Sequence, residues 1–364
     1  MFVKSLELKN FRNYYDLSIT FDKDNNILFG NNAQGKTNTL EAIYVCGTTK
    51  SHKGCKDKEL IKIGEVESHI RLIVNKNGVD RKIDMHLRKN KTKGVAIDGI
   101  PIKKSIELCG LINIIFFSPE NLNIIKNGPS ERRRFIDMEL CQIDKFYVDN
   151  LYKYNKIIAQ RNNLLKQINV DKKNLETLSV WDEQLVYYGK KIINRRQEFI
   201  NELNVIVNKI HKNLSGNIEN LTLCYEPNVS VDNFEEKLFI NRDRDIILKS
   251  TSNGPHRDDV GFLINDIDVR KYGSQGQQRT AALSLNLAEI ELVKKKINDN
   301  PILLLDDVLS ELDRNRQTYL LNSLEGIQTI ITCTGLEEFI NNRFNVDKIY
   351  KVVEGKIEQV KQKK

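Results

Sequence analysis

The stretch that decides the fold is Gly30-Asn-Asn-Ala-Gln-Gly35-Lys36-Thr37, a complete G-x-x-x-x-G-K-T pattern. It follows the apolar residues Asn26–Phe29 and opens a helix predicted over Thr37–Val45, which is the context of a phosphate-binding loop. Backbone N–H groups would wrap the phosphates, Lys36 would place a cation between the β- and γ-phosphates, and Thr37 would offer a hydroxyl to Mg²⁺. A glycine turn that only caps a helix would not require Lys-Thr in register. We therefore predict a nucleotide site that also includes Asn31, Asn32, Ala33, Gln34 and Asn38.

A second motif, Ile302-Leu-Leu-Leu-Asp306-Asp307, supplies the acidic strand that accompanies such a loop. Four apolar residues bury the strand, and Asp306 emerges at its carboxyl end, where ligands of α/β sheets gather. Asp306 is predicted to hold Mg²⁺. Asp307 is placed to orient or deprotonate the attacking water, so Asp307 and Lys36 are the predicted catalytic residues. The alternative for Asp307 is a helix N-cap.

A third motif, Tyr272-Gly-Ser274-Gln-Gly276-Gln277-Gln-Arg279, precedes the acidic strand. Ser274 and Gln277 form an S-x-x-Q capping box, which starts a helix whether or not a nucleotide is bound. The motif also resembles the signature of ABC-type ATPases, whose capped helix faces the γ-phosphate held by a second subunit. That resemblance implies ATP and Mg²⁺ as ligands and a head-to-tail dimer, with nucleotide contacts from Ser274, Gly276, Gln277 and, in the D-loop Ser310–Asp313, from Asp313.

Further blocks resemble the RecF family over essentially the whole chain: Leu6–Tyr14, Phe117–Leu122, Gly128–Arg133, Gly254–Asp259, and Asp307 where transporters carry glutamate. The resemblance implies an ATP-dependent homodimer that binds double-stranded DNA at gapped junctions and assists RecA loading with RecO and RecR. It implies a weak, DNA-dependent ATPase in DNA repair and replication. Because the side chain of Asp307 is one methylene shorter than that of glutamate, we expect slow ATP hydrolysis, which determines when the protein is released from DNA. From the residues alone, Arg132–Arg134 contact phosphates or make surface ion pairs on a helix face. His256–Asp259 form a polar network that braces the domain junction, or they contact DNA.

The predicted fold class is α/β: an ABC-type ATPase head with an antiparallel β portion, and a helical lobe with a short coiled-coil-like arm. Hairpins are expected at Asn77-Gly78 and Asp98-Gly99. Apolar spacing from Asp144 to Leu214 predicts two long helices separated by Val170–Asn174, which either project as an arm or pack on the body. The expected domains are 1–125 with the phosphate loop, 126–250 with the helical lobe, and 251–364 completing the head.

The net charge of +8 has an uneven distribution. Lys50–Lys104 contains 15 Lys and Arg against 7 Asp and Glu, a local excess of +8 that suits either a polyanion or a solvated lysine-rich surface. The six cysteines form no C-x-x-C pair, so a zinc or redox motif is not indicated. A cytoplasmic protein is expected, because no apolar run reaches membrane-spanning length. The resemblance implies that it associates with the nucleoid. The main alternative is the ATPase subunit of a membrane transporter, but such subunits usually carry a switch histidine after this strand, and Thr332–Thr334 contains none. A second alternative is a small-molecule P-loop kinase.

Overall fold

The computed structural model describes residues 1–168, 174–336, 339 and 345–360. The chain divides into two compact units, one of Met1–Asn121 with Glu289–Lys364 and the other of Leu122–Ala288. The first boundary lies close to the predicted end of the first domain. Residues 251–288, which we grouped with the ATPase head, fall in the second unit by compactness. A division of the chain into compact units does not show which residues bind a nucleotide, so the assignment of residues 251–288 to the ATPase head stays a prediction.

The secondary structure alternates between strands and helices at both ends of the chain and is mainly helical in the middle. In chain order the elements are β1 (Phe2–Phe11), β2 (Tyr14–Thr20), β3 (Asn25–Phe29), α1 (Lys36–Thr48), α2 (Asp57–Leu60), β4 (Glu67–Lys76), β5 (Val79–Arg88), β6 (Gly94–Ile97), β7 (Ile100–Pro101), β8 (Ile114–Phe117), α3 (Leu122–Lys126), α4 (Pro129–Ile143), α5 (Lys145–Ile168), α6 (Asn174–Leu214), β9 (Leu221–Glu226), α7 (Phe234–Ile240), α8 (Arg242–Leu248), β10 (Asp259–Ile264), β11 (Ile267–Asp268), α9 (Val269–Tyr272), α10 (Gln275–Ile297), β12 (Ile302–Asp306), α11 (Arg314–Asn322), β13 (Thr329–Cys333), β14 (Lys348–Val353) and β15 (Lys356–Val360).

The first unit contains a mostly parallel sheet with the strand order β15-β14-β3-β13-β12-β8. Strands β12 and β13 are buried at every position, as expected for strands covered on both faces. Asp306 pairs with Thr332 between β12 and β13, and Cys333 pairs with Phe29 between β13 and β3. This register confirms the predicted parallel sheet. It brings the carboxyl ends of three strands to the edge where the phosphate loop begins.

An antiparallel sheet in the same unit has the order β2-β1-β4-β5-β6-β7. The turn between β4 and β5 has φ of 53° at Asn77 and 80° at Gly78, and the turn between β6 and β7 has φ of 52° at Asp98 and 83° at Gly99. Positive φ at both central residues is the type I′ pattern that matches the twist of paired strands. Both predicted hairpins are confirmed.

The second unit is built on the long helices α5 and α6, which confirms the predicted helical pair. Helix α6 also contacts β9 and α7, while α5 contacts α8, so other elements of this unit support the pair. Arg161 is fully buried there and donates to Asp182 at 2.6 Å and to Asp245 at 2.7 Å. A buried charge needs such partners. The connecting segment predicted at Val170–Asn174 lies almost wholly outside the described residues.

A polar network in the second unit includes the His256–Asp259 block. Asp258 is buried and accepts hydrogen bonds from the Arg196 guanidinium at 2.9 Å and from the backbone N–H of Asn228 at 2.9 Å. Asp259 accepts two from Arg132, at 2.5 and 2.9 Å. Arg132 is only 3 % exposed, so it forms an ion pair, as the second alternative predicted, but a buried one and not one on the surface. Its contact with a phosphate stays a prediction. These residues stabilise the second unit internally.

Within the described part of the chain, no helix is long and apolar enough to cross a membrane. Of the six cysteines, Cys46 and Cys333 are buried and the other four are half-buried, and none of the six forms a disulfide bond.

Candidate nucleotide-binding site

The phosphate loop takes a backbone path that requires glycine at both ends. Gly30 has φ of 154°, and a Cβ atom there would lie 2.3 Å from the carbonyl oxygen of Val352. Gly35 has φ of 116°, and a Cβ atom there would lie 2.6 Å from Nδ2 of Asn13. Larger residues at either position would displace backbone or polar neighbours. The two motif glycines are therefore explained by steric fit as well as by conformational freedom.

Two residues that we did not predict hold the loop from the β1–β2 side. Asn13 donates from Nδ2 to the carbonyl oxygen of Gln34 at 2.9 Å and accepts from Nδ2 of Asn38 at 2.8 Å. The hydroxyl of Tyr14 donates to the carbonyl oxygen of Gly35 at 3.0 Å, and burial raises the pKa of Tyr14 to about 12. Asn13 and Tyr14 lie in the block Leu6–Tyr14, whose family resemblance was the one sequence feature that could have indicated their role. Asn38, predicted to contact nucleotide, uses its side chain amide to fix the loop.

Lys36 lies inside the loop and not on its surface. Its ammonium donates to the carbonyl oxygen of Asn31 at 2.9 Å and also to that of Gly30, and the residue is only 6 % exposed. Burial lowers the pKa of Lys36, while the carboxylates of Asp307 and Asp306 oppose that shift. A desolvated cation held among carbonyl oxygens is suited to attract a polyphosphate.

Thr37 and the acidic strand meet as predicted. The Thr37 hydroxyl donates to Oδ1 of Asp306 at 2.8 Å, and the Thr332 hydroxyl donates to the same oxygen at 2.7 Å. A hydroxyl and a carboxylate at the end of a buried strand are hard oxygen donors, which fit Mg²⁺. We had not predicted a role for Thr332. The parallel pairing of its strand with β12, which places Thr332 beside Asp306, could have indicated this contact.

Asp307 occupies a left-handed backbone conformation with φ of 52°, which is uncommon outside glycine. Its N–H donates to the carbonyl oxygen of Thr332 at 3.2 Å and to the Thr332 hydroxyl oxygen at 3.1 Å. The following 3₁₀ turn, Leu309–Glu311, has Val308 at its N-cap, so the alternative role of Asp307 as a helix cap is wrong. Burial raises the pKa of Asp307 against the opposing charge of Lys36. A carboxylate with raised pKa accepts a proton more readily.

The signature and D-loop residues start helices. The Ser274 N–H donates to Oε1 of Gln277 at 2.9 Å, and the Gln277 N–H donates to the Ser274 hydroxyl oxygen at 3.2 Å, which confirms the capping box at α10. Gly276 lies in the first turn of that helix. Asp313 caps α11 and accepts from the Arg316 N–H at 3.0 Å. Ser274, Gly276 and Gln277 belong to the second compact unit, and the loop, Asp306, Asp307 and Asp313 belong to the first.

A buried ion pair connects the β1–β2 turn to the first helix after the loop. Arg12 donates from Nε and Nη2 to the two carboxylate oxygens of Glu41, at 2.7 and 2.9 Å, and Glu41 is 1 % exposed. Burial works against ionisation of Glu41, but hydrogen bonds from Arg12 and Ser51 outweigh it and lower its pKa. No local pattern indicates that Glu41 is the partner of Arg12, since 29 residues separate them.

Comparisons with known proteins agree with this geometry. Residues 2–358 match the family model of the RecF/RecN/SMC N terminal domain. The chain is 63 % identical to the DNA replication and repair protein RecF of Lachnoclostridium phytofermentans, covering 99 % of this chain and 100 % of that protein. Identity to the RecF protein of Clostridium botulinum Okra is 46 %, over 99 % of this chain and 100 % of that one.

Solved structures give the same result. The recombination mediator protein RecF with ATP, of the RecFOR pathway, has a TM-score of 0.93 and 36 % identity, over 99 % of this chain and 98 % of that one. The Smc head domain of Pyrococcus furiosus, at 16 % identity and a TM-score of 0.57 over 99 % of this chain and 96 % of that one, is similar in fold. These matches confirm the predicted fold class.

Proposed function

The chain belongs to the RecF family of ABC-type ATPases, and from this premise we propose that it is an ATP-dependent DNA-binding protein of DNA replication and repair. One observation carries the proposal: the Thr37 hydroxyl and the Asp306 carboxylate meet at 2.8 Å, beside the buried ammonium of Lys36. The family match does not support a transporter subunit or a small-molecule kinase. The relatives' names mention DNA replication and repair and, for one structure, bound ATP.

ATP binds through the phosphate loop in this proposal. Backbone N–H groups of residues 31–38 face the phosphates, and Lys36 exchanges its carbonyl partners, Gly30 and Asn31, for phosphate oxygens. Thr37 and Asp306 would hold Mg²⁺, which would neutralise negative charge on the bound phosphates. Asn13 and Tyr14 position the loop and contact its backbone, not the nucleotide.

Hydrolysis depends on Asp307. Its carboxylate orients a water molecule and accepts a proton as the water oxygen attacks the γ-phosphorus, and ADP leaves with the bridging oxygen. The raised pKa of Asp307, caused first by burial, favours this proton transfer. The reach of aspartate is shorter than that of glutamate, so turnover is slow and serves to release the protein from DNA.

A second copy of the chain completes the site. The N-terminus of α10, at Ser274, Gly276 and Gln277, carries a partial positive charge and faces the γ-phosphate held by the other copy. Asp313 reaches the same nucleotide. ATP therefore holds two copies together, and hydrolysis separates them.

Double-stranded DNA near single-strand gaps is the proposed polyanion, and RecO and RecR are the proposed partners in loading RecA. The basic stretch supports the DNA contact. Within the described residues, seven of its exposed lysine side chains make no ion pair: Lys50, Lys56, Lys58, Lys89, Lys91, Lys103 and Lys104. Unpaired surface cations are available to displace counterions from phosphates.

The test is binding to fluorescent duplex DNA, with and without ATP, over a series of salt concentrations. We expect tighter binding with ATP and a linear fall of log affinity with log salt. The slope should decrease by about 0.9 for each DNA phosphate that a variant no longer neutralises. Lys89→Gln with Lys91→Gln should lower the slope, whereas the matched pair Lys351→Gln with Lys356→Gln on β14 and β15 should not. Equal affinity with and without ATP would contradict the proposal.

A further inference from the structure

The exposed face of the antiparallel sheet carries a cluster of two histidines and one glutamate. His69 on β4 lies directly opposite His86 on β5, and Glu67 lies two residues before His69 on the same face. The side chains of Glu67 and His69 are about half exposed, at 50 % and 51 %, and that of His86 is 33 % exposed. Solvent therefore reaches all three side chains.

The donor atoms of the three side chains converge. Nε2 of His86 lies 2.8 Å from one carboxylate oxygen of Glu67, and Nε2 of His69 lies 4.0 Å from the other. The two imidazole rings are stacked, with centroids 4.0 Å apart and an interplanar angle of 21°. The ligand atoms of all three residues lie within 4.8 Å of one another. Both rings thus present a nitrogen to the same carboxylate.

From this geometry we propose that Glu67, His69 and His86 form a binding site for a divalent transition-metal ion of the zinc type. Bonds of about 2.0–2.2 Å to nitrogen and oxygen place neighbouring donors of a tetrahedral ion roughly 3.3–3.5 Å apart. The distances of 2.8 and 4.0 Å lie on either side of that separation, so small side-chain rotations suffice. Three protein ligands leave a coordination position open to solvent.

The chemistry of the donors selects the metal. Imidazole nitrogen suits Zn²⁺, Ni²⁺ and Cu²⁺, whereas Mg²⁺ and Ca²⁺ take oxygen ligands. Of the cations nearby, Arg71 is held by Asp84 at 2.6 Å and by Glu7 at 3.4 Å, which reduces its repulsion of a metal ion.

The sheet leaves space above the cluster. Gly94 lies opposite His86 on β6, and a Cβ atom there would contact only the Cβ of His86, at 3.9 Å. His69, His86 and Gly94 line a cleft of about 510 Å³. An ion bound here would join β4 to β5 through their side chains. The site does not involve the nucleotide-binding residues, so the proposal stands apart from the proposed ATPase activity.

The test is titration of the full, nucleotide-free chain with Zn²⁺ in competition with a colorimetric chelator. We expect one ion at this site, an affinity at least tenfold weaker in both His69→Gln and His86→Gln, and no competition from excess Mg²⁺. The matched control Asp16→Asn, on an exposed residue lining the same cleft, should stay within twofold. Thermal unfolding without metal checks that each variant folds, and Zn²⁺ should raise the Tm of the unmodified chain more than that of His86→Gln.

Two results would overturn the site. One is the absence of stoichiometric Zn²⁺ binding by the unmodified chain. The other is unchanged Zn²⁺ affinity in both histidine variants, which would place bound zinc elsewhere, for example on a half-buried cysteine. ATP binding measured on the same samples should be the same in all variants, so failure of the metal site and failure of the nucleotide site are distinguishable.

Discussion

At the scale of single residues, Asp307 combines a left-handed backbone conformation with a partly buried carboxylate whose pKa is raised. Its φ of 52° is held by two hydrogen bonds to Thr332 at the end of the neighbouring strand. Such conformations cost of order 1–3 kcal/mol and persist where the surroundings fix them, often at functional sites. The motif predicted the position of this carboxylate at the strand end. The left-handed backbone could not be predicted, because it depends on a residue 25 positions away.

Asp307→Asn tests the catalytic role. Asparagine tolerates the left-handed conformation and keeps the size of the side chain, but it cannot accept the proton from water. We expect ATP hydrolysis to fall by about 100-fold or more, the usual contribution of a general base, while ATP affinity is preserved. Phosphate release and equilibrium nucleotide binding are the measurements. The ATP-driven dimer should also last longer. Unchanged hydrolysis, or a shorter dimer lifetime, would exclude this role.

At the scale of elements, the start of α10 has two proposed uses. The reciprocal bonds between Ser274 and Gln277 stabilise the helix start. The same helix end is proposed to face a nucleotide on another copy. Sequence could predict the capping box, since it depends on residues three apart. Whether a nucleotide meets this helix depends on association of two chains, which local patterns do not encode.

Ser274→Arg separates the two uses. The long cation should block approach of a second copy and leave the loop of its own chain intact, so ATP should bind with the affinity of the unmodified protein while ATP-driven dimers disappear. Ser274→Ala is the control for capping alone and should cost about 1 kcal/mol of stability. Nucleotide binding and light scattering give the two readouts. Loss of ATP binding in Ser274→Arg monomers would contradict the assignment to the interface.

The Arg12–Glu41 pair joins the β1–β2 turn to α1, and its contribution should depend on pH. Hydrogen bonds lower the pKa of Glu41 below its ordinary value despite burial. Its folded-state pKa is depressed, so the pair stabilises the protein above the ordinary pKa and loses that contribution as pH falls through the depressed value.

Glu41→Gln should therefore destabilise the chain at pH 7 by about 3 kcal/mol, as when a buried pair loses one partner. The difference from the unmodified protein should shrink as the pH falls below the ordinary pKa of glutamate and through the depressed pKa of Glu41, where this carboxylate becomes protonated. Urea unfolding at several pH values measures it. Glu59→Gln on the exposed face of α2 is the control and should change stability by less than about 0.5 kcal/mol. A difference independent of pH would rule out the ion pair as its cause.

At the scale of the whole molecule, sequence predicted what depends on local or periodic patterns. The phosphate loop, the buried strand before Asp306, both hairpins and the long helices α5 and α6 follow from such patterns. Contacts between distant segments were not predicted: Asn13 with the loop carbonyl of Gln34, Thr332 with Asp306, and Arg132 with Asp259. Each contact depends on how the elements pack, and a local sequence pattern does not show which distant residue a side chain will contact.

In the proposed dimer, Ser274 of one chain completes the nucleotide site that the loop Gly30–Thr37 of the other chain forms, so that ATP holds two copies together. Sedimentation velocity with a non-hydrolysable triphosphate, with ADP and without nucleotide, each with and without duplex DNA, measures this most directly. We predict a dimer with the triphosphate, more strongly so on DNA, and a monomer with ADP or no nucleotide. A chain that remains monomeric when saturated with both triphosphate and duplex DNA would contradict the account.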